Sequence, residues 1–273
     1  MSYETLRVER EGHITWLTLN RPDALNSMNG TLIREVSDFF RGLTDDAQTR
    51  VVVMRGAGRA FCAGLDLKQT SGEQQRASSG ADPAGSVSGG LRGQRRVSEI
   101  VMLMRRAPQP IIAAVHGPAC GGGFAMALAA DVRIAGESTR MNAAFIRLGL
   151  SACDVGVSYF LPRIVGASLA SELLLTGDFI DAARAERTGL VSRVVPDAQL
   201  EDAARELASR MLRNSPLGLK LTKECLKHAL DAGSLEQVIA MEDRNQILAA
   251  RSSDFREGVA AFLGKREAHF TDE

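Results

Sequence analysis

Apolar residues fall into short blocks along this chain, and their spacing sorts the blocks into strands and helices. Ile14, Trp16 and Thr18 alternate with Thr15, Leu17 and Leu19, a β-branched and aromatic run that predicts a strand over His13–Leu19. Asn20-Arg21-Pro22-Asp23 ends it with turn chemistry. Leu32, Val36, Phe39, Phe40 and Leu43 recur at helical spacing and predict an amphipathic helix over Thr31–Leu43. Val51-Val52-Val53-Met54 predicts a buried strand within Arg50–Arg55, ending at Gly56. Ile111, Ile112 and Val115 predict another within Pro110–His116, ending at Gly117-Pro118. Phe124–Ala130 reads as a helix, and Val132–Ala135 and Gly189–Val195 read as strands.

Short strands closed by glycine and separated by helices are the mark of an α/β fold. After Pro196 the pattern turns helical: Glu201–Leu212, Leu217–Leu230, Leu235–Ala250 and Asp254–Lys265. The chain therefore divides into a mixed core over residues 1–200 and a helical part over 201–273. Gln69–Arg96 stands apart, crowded with Ser, Gly, Gln and Arg and without an apolar period. It reads as a mobile loop with room for a short helix, serving either as a lid or as a surface insertion.

Composition narrows the class. The 273 residues are 45% apolar and 24% charged, an ordinary globular balance. Lys plus Arg number 33 and Asp plus Glu number 33, which argues against a general nucleic-acid or anionic-membrane surface but allows a local basic patch. Cys62, Cys120, Cys153 and Cys225 form no C-x-x-C pair, and no two histidines stand at zinc spacing, so no metal site is expected. Free thiols, and an N-terminal stretch with Glu4, Glu9 and Glu11 and no apolar h-region, lead to the expectation of a cytoplasmic protein. No apolar run is long enough to span a membrane.

Two glycine-rich junctions carry the chemistry. Gly56-Ala57-Gly58-Arg59-Ala60-Phe61-Cys62-Ala63-Gly64-Leu65-Asp66-Leu67-Lys68 follows one buried strand. His116-Gly117-Pro118-Ala119-Cys120-Gly121-Gly122-Gly123-Phe124 follows another and opens a helix. Glycines there let backbone N–H groups face outward, and a helix N-terminus adds free donors and a positive dipole end. Such a place suits a phosphate or a developing oxyanion; taken singly, each loop reads as easily as a tight turn. Neither a phosphate-loop pattern nor a dinucleotide fingerprint is present.

Together these motifs resemble the crotonase (enoyl-CoA hydratase/isomerase) superfamily. The resemblance runs from Asn20-Arg21-Pro22 and Ala24-Leu25-Asn26 through both glycine junctions to Ala130-Asp131-Val132-Arg133-Ile134-Ala135. It continues with Leu174-Leu175-Thr176-Gly177 and Gly189-Leu190-Val191 and ends at Phe262-Leu263-Gly264-Lys265-Arg266. It implies an α/β spiral of ββα units with a C-terminal helical subdomain, assembled as a homotrimer or as a hexamer of two trimers. It implies a coenzyme A thioester as substrate and no resident cofactor. The thioester carbonyl would sit between the backbone N–H groups of Leu65 and Gly122. Coenzyme A would lie along Ala24, Asp66, Leu67 and Lys68 and the C-terminal Phe262 and Lys265, the last two often from a neighbouring subunit. Lys68 and Lys265 would meet phosphates, unless they are solvated surface lysines. Asp23 stands where many relatives carry a basic residue.

The pattern breaks at the proton-transfer residues. Hydratases of the family use two glutamates, one two residues after the third glycine of the GGG motif and one twenty residues further on. Here those positions are Ala125 and Phe145, which cannot move a proton. Asp131 belongs to a strand entry and reads as structural. Asp154, in Cys153-Asp154-Val155-Gly156, resembles the catalytic aspartate of dienoyl-CoA isomerases, with one extra residue between it and Gly149; the alternative is a cap on a helix beginning near Val155. His116 reads as a loop hydrogen-bonder, and Cys120 and Cys153 as small apolar packing. Ser151, Ser158, Tyr159, Met126 and Phe145 are candidates to line an acyl pocket. Three readings follow: an isomerase-like enzyme using Asp154, a protein that only binds acyl-CoA, or a hydratase of atypical mechanism.

Overall fold

The computed structural model describes residues 3–68 and 87–271. A six-stranded sheet forms from β1 (Leu6–Glu11), β2 (Ile14–Leu19), β3 (Val51–Gly56), β4 (Ile111–Val115), β6 (Val132–Gly136) and β9 (Arg193–Val195), in that spatial order. β1 runs antiparallel to β2 and every other pair is parallel. A three-stranded sheet forms from β5 (Pro118–Cys120), β7 (Arg140–Asn142) and β8 (Ile180–Asp181). Isolated bridges Cys62↔Ala119 and Met28↔Leu65 continue this smaller sheet back to the loop after β3. Successive turns thus give one strand to each sheet: β3 with the Cys62 segment, β4 with β5, β6 with β7. This is the spiral of ββα units that the motifs imply.

Parallel strands are covered on both faces, so they read as continuous apolar runs. Val52 and Met54 turn to one core, with Phe40, Phe61, Phe124 and Met104. Val51 and Val53 turn to the other, with Ile14, Trp16, Ile112 and Ile134. The first core is roofed by α1 (Gly30–Gly42), α2 (Val87–Arg106) and α3 (Gly122–Ala129), and the second by Leu200, Ala203, Ala204 and Ala208 of α7 (Leu200–Leu212). The helix that opens at the expected boundary near residue 200 therefore packs with the sheet. Beyond it lie α8 (Pro216–Ala229), α9 (Leu235–Ala250) and α10 (Ser253–Leu263). Three short helices, α4 (Val157–Val165), α5 (Ala167–Thr176) and α6 (Ala182–Arg187), precede β9.

The expected strands and the long helices are present, with two differences that bear on the site. The GGG helix begins at Gly122, earlier than the expected Phe124. Residues 87–96, expected in a loop with room for a short helix, form the first half of α2; they are largely exposed, Val87 and Leu91 included, and only the second half buries Ile100, Val101, Leu103 and Met104. The rest of the expected loop, residues 69–86, lies outside the described residues. No helix among the described residues is long and apolar enough to cross a membrane, and no group of three His, Cys, Asp or Glu among them could hold a metal ion.

Candidate active site

The two glycine junctions lie side by side. Cys62 N–H donates to Pro118 O at 3.1 Å and Cys120 N–H to Cys62 O at 2.9 Å, which locks the strands together. Gly64 follows with φ +95°, and a Cβ there would come 2.9 Å from Cys120 O, so only glycine lets the first loop pass this close. Gly123 is tighter still: its Cβ would lie 2.1 Å from Cys62 O. The next residue of the first loop is Leu65, and Met28 pins it on both sides, through Met28 N–H to Gly64 O at 2.7 Å and Asp66 N–H to Met28 O at 3.1 Å. Met28 also reaches the second loop, its sulfur 2.6 Å from where a Cβ on Gly122 would stand.

The N–H groups of Leu65 and Gly122 have no acceptor among the described residues. Gly122 is the first residue of α3, whose first turn holds no acidic side chain. The other end of α3 is satisfied: the Arg133 guanidinium donates to the carbonyls of Ala127, Leu128 and Ala130, at 3.3, 3.2 and 2.7 Å. Burial pulls Arg133 down to about 10. A cation at the C-terminus complements the helix dipole, and the open donors at the N-terminus are left for a ligand.

Ala125 and Phe145 stand where the paired glutamates would be. Ala125 is fully buried in α3, and the edge of the Phe145 ring lies 3.4 Å from where a Cβ on Gly121 would stand. The wall beside the hole is thus hydrocarbon. Burial pushes the Cys62 thiol up to about 12 and the Cys120 thiol up to about 11, so both remain neutral; Cys120 packs as expected, whereas Cys153, expected to pack as well, is exposed. His116 donates from Nε2 to Gly58 O at 2.9 Å, a loop contact, and Asp131 is paired with Lys223 at 2.8 Å and accepts from Ile111 N–H.

Asp154 sits in the turn before α4, half-buried. Its Oδ1 accepts the Gln94 side-chain amide at 2.5 Å and the Val155 N–H at 2.8 Å. Val155 has φ +46°, a left-handed conformation that a β-branched residue adopts only under strain. The cap on α4 is Gly156, with no side-chain cap bond, so Asp154 does not cap that helix with its carboxylate. Gln94 comes from α2 and also lines a groove that Leu65 and Met28 line. Sequence reasoning missed the Gln94–Asp154 contact because the Gln94 segment read as a loop.

The other expected contacts divide. Ala24 ends a one-turn helix (Pro22–Ala24) beside the buried Asn26, which is held by Ala57 O and Ala60 O. Asp66 pairs with Arg21 at 2.9 Å, and Arg21 also donates to Ser27 O, so Asp66 braces the Ala24 loop against the Leu65 loop. Leu67 and Lys68 are exposed at the end of the described segment. Phe262 is 84% exposed at the end of α10, and Lys265 follows it.

Comparison with known proteins agrees with this geometry. The family model described as enoyl-CoA hydratase/isomerase matches residues 9–273. A Mycobacterium tuberculosis protein named probable enoyl-CoA hydratase EchA12 is 42% identical over 261 residues, 95% of this chain and 90% of that one. The 1,2-epoxyphenylacetyl-CoA isomerase of Escherichia coli is 36% identical over 96% of each chain. The crystal structure of an enoyl-CoA hydratase from Bacillus anthracis superposes with a TM-score of 0.90 at 32% identity, covering 99% of this chain and all of the other.

Proposed function

The chain belongs to the enoyl-CoA hydratase/isomerase family, and from that premise we propose that it moves a double bond in an acyl-CoA thioester by a single-carboxylate proton shuttle and does not hydrate it. The oxyanion hole is formed by the N–H groups of Leu65 and Gly122, which donate to the thioester oxygen as an enolate develops. The observation that carries the reading is the two open donors on adjoining loops, with Ala125 and Phe145 supplying no carboxylate; Asp154, whose Oδ1 accepts from Gln94 and Val155, is assigned as the proton carrier.

The chemistry follows from counting proton carriers. Hydration of a 2-enoyl thioester needs one group to activate water and one to deliver a proton to the α-carbon. Isomerisation of a 3-enoyl to a 2-enoyl thioester needs one group only. Asp154 takes a proton from the α-carbon through Oδ2, the electron pair spreads to the thioester oxygen, and the same proton returns at the γ-carbon. No atom is gained or lost. The hydrocarbon wall at Ala125 and Phe145 favours this outcome, because it offers no group to hold an attacking water.

Coenzyme A lies along Ala24, Asp66, Leu67 and Lys68. Phe262 and Lys265 serve a neighbouring subunit's site in a trimer or a pair of trimers. The apolar side chains left exposed on α10 (Phe255, Val259, Phe262 and Leu263) support such an assembly. A cytoplasmic role in acyl-CoA metabolism belongs to the same reading. The test is a panel of 2-enoyl, 3-enoyl and dienoyl thioesters with products identified by mass and retention. The 3-enoyl or dienoyl members should be converted without gain of water.

A further inference from the structure

A groove of about 700 Å³ leads outward from Leu65 between α1 and α2. Near the hole its wall is Met28, Leu65, Ile33 and Val97. Further along it turns polar and cationic, with Arg34, Ser37 and Arg41 on α1 facing Gln94 and Arg96 on α2. At the helical rise, Arg34 lies about 8 Å and Arg41 about 18 Å along the axis from Asn29, which opens α1 beside the Leu65 loop. A chain bound at the hole and running down the groove meets Arg34 first.

Among the described residues, the charges on this wall are not balanced. Arg41 is paired with Asp38 at 3.0 Å. Asp66, the acidic side chain among the described lining residues, is paired with Arg21. Glu35 is turned away and held by the Glu4 and Thr5 N–H groups and the Thr5 hydroxyl, so it reaches Arg34 only through space. Arg34 and Arg96 make no hydrogen bond or ion pair to any described residue. Two guanidinium groups on opposite walls of one groove, next to a thioester site, form a receptor for a planar anion.

We infer that the groove between α1 and α2 is the acyl subsite and selects acyl chains that carry a second carboxylate, held between Arg34 and Arg96. The inference rests on the proposed thioester site and names its substrate class: monothioesters of dicarboxylic acids. The apolar start of the groove takes the methylene chain, and the arginines take its far end. A phosphate of coenzyme A would satisfy the same two arginines, so the test separates the two anions.

Calorimetry on the full chain would compare saturated thioesters of equal carbon number, one ending in a methyl and one in a carboxylate, at six, eight and ten carbons. Each would be offered as the coenzyme A thioester and as the pantetheine thioester, which lacks the nucleotide phosphates. The carboxylate-ended ligand should bind at least tenfold tighter at one of these lengths in both series, and added salt should erode the preference. Arg34→Leu with Arg96→Leu should abolish the preference, and Arg34→Lys should retain part of it. Equal binding of the two ligands at every length would overturn the inference while leaving the thioester site standing. So would a double variant that weakens only the coenzyme A series, since the arginines would then serve its phosphates. Failure of every thioester to bind would remove the thioester site itself, and the inference with it.

Discussion

Gly122→Pro should slow the reaction without unfolding the chain. Gly122 is the first residue of α3, the helical position that best tolerates proline, because the N–H there makes no intrahelical bond and the ring's φ suits a helix. The substitution deletes one of the two oxyanion donors. Loss of one such donor costs about 3 kcal/mol in the transition state, roughly a hundredfold in turnover. The new Cβ is a second change, since it would stand 2.6 Å from the Met28 sulfur. That atom belongs to a flexible side chain, which can swing aside. Gly122→Ala adds the same Cβ and keeps the N–H, so the ratio of the two variants isolates the donor. Turnover on the best thioester of the panel should be about a hundredfold lower for proline than for alanine. Affinity for a saturated thioester should differ much less, because a ground-state carbonyl carries less charge than an enolate. Thermal unfolding of both variants serves as the folding control. Equal turnover in two folded variants would refute the placement of the hole.

Other consequences are independent of that donor. Gly123→Ala should destabilise the chain by about 1–3 kcal/mol or more, as overpacking does, because its Cβ would press on Cys62 backbone and side chain at 2.1 and 2.7 Å; a urea midpoint unchanged from wild type would contradict the packing of the two loops. Gln94→Leu should lower turnover about tenfold, the loss of a hydrogen bond to a charged acceptor, and should add nothing in an Asp154→Asn background, since the two act as one unit. Additive losses in that cycle would show Gln94 to act elsewhere. The Glu257 carboxylate is brought from 4.5 to about 2 by the Arg266 guanidinium and the His269 N–H. A lowered acid contributes stability above its unfolded value that is lost as pH falls through the folded one. The Glu257 carboxyl, followed by NMR, should therefore titrate near about pH 2, with the His269 N–H that it accepts shifting in step; a midpoint at the ordinary carboxylate value would contradict the contact.

What was legible in the sequence follows from where the signal is local. Val51–Met54 and Ile111–Val115 read as buried strands because both faces of a parallel sheet are covered, leaving no polar position to blur the run. The close approach of the two loops was marked by their glycines, since Gly64 and Gly123 leave no room for a Cβ. The first half of α2 did not read as a helix, since Ser88, Gly89, Gly90 and Gly93 are poor helix formers and nothing apolar there is buried. Strands β5, β7 and β8 span only three, three and two residues, too few to show a period. The Gln94–Asp154 bond joins residues sixty positions apart, and no spacing rule links a glutamine on one helix to a turn before another. No spacing in the sequence links Arg34 to Arg96, which line one groove only once α1 and α2 are set side by side.

The central claim is that one carboxylate does the work of the missing pair. It is tested most directly by offering the protein a 3-enoyl and a 2-enoyl coenzyme A thioester of the same length in ¹⁸O-labelled water, with wild type and Asp154→Asn in parallel. The account predicts that the wild type converts the 3-enoyl to the 2-enoyl thioester with no label gained, leaves the 2-enoyl thioester unhydrated, and loses about 10²–10⁴-fold of its rate on Asp154→Asn. Labelled 3-hydroxyacyl product at ordinary hydratase turnover, or an Asp154→Asn variant as fast as the wild type, would contradict it.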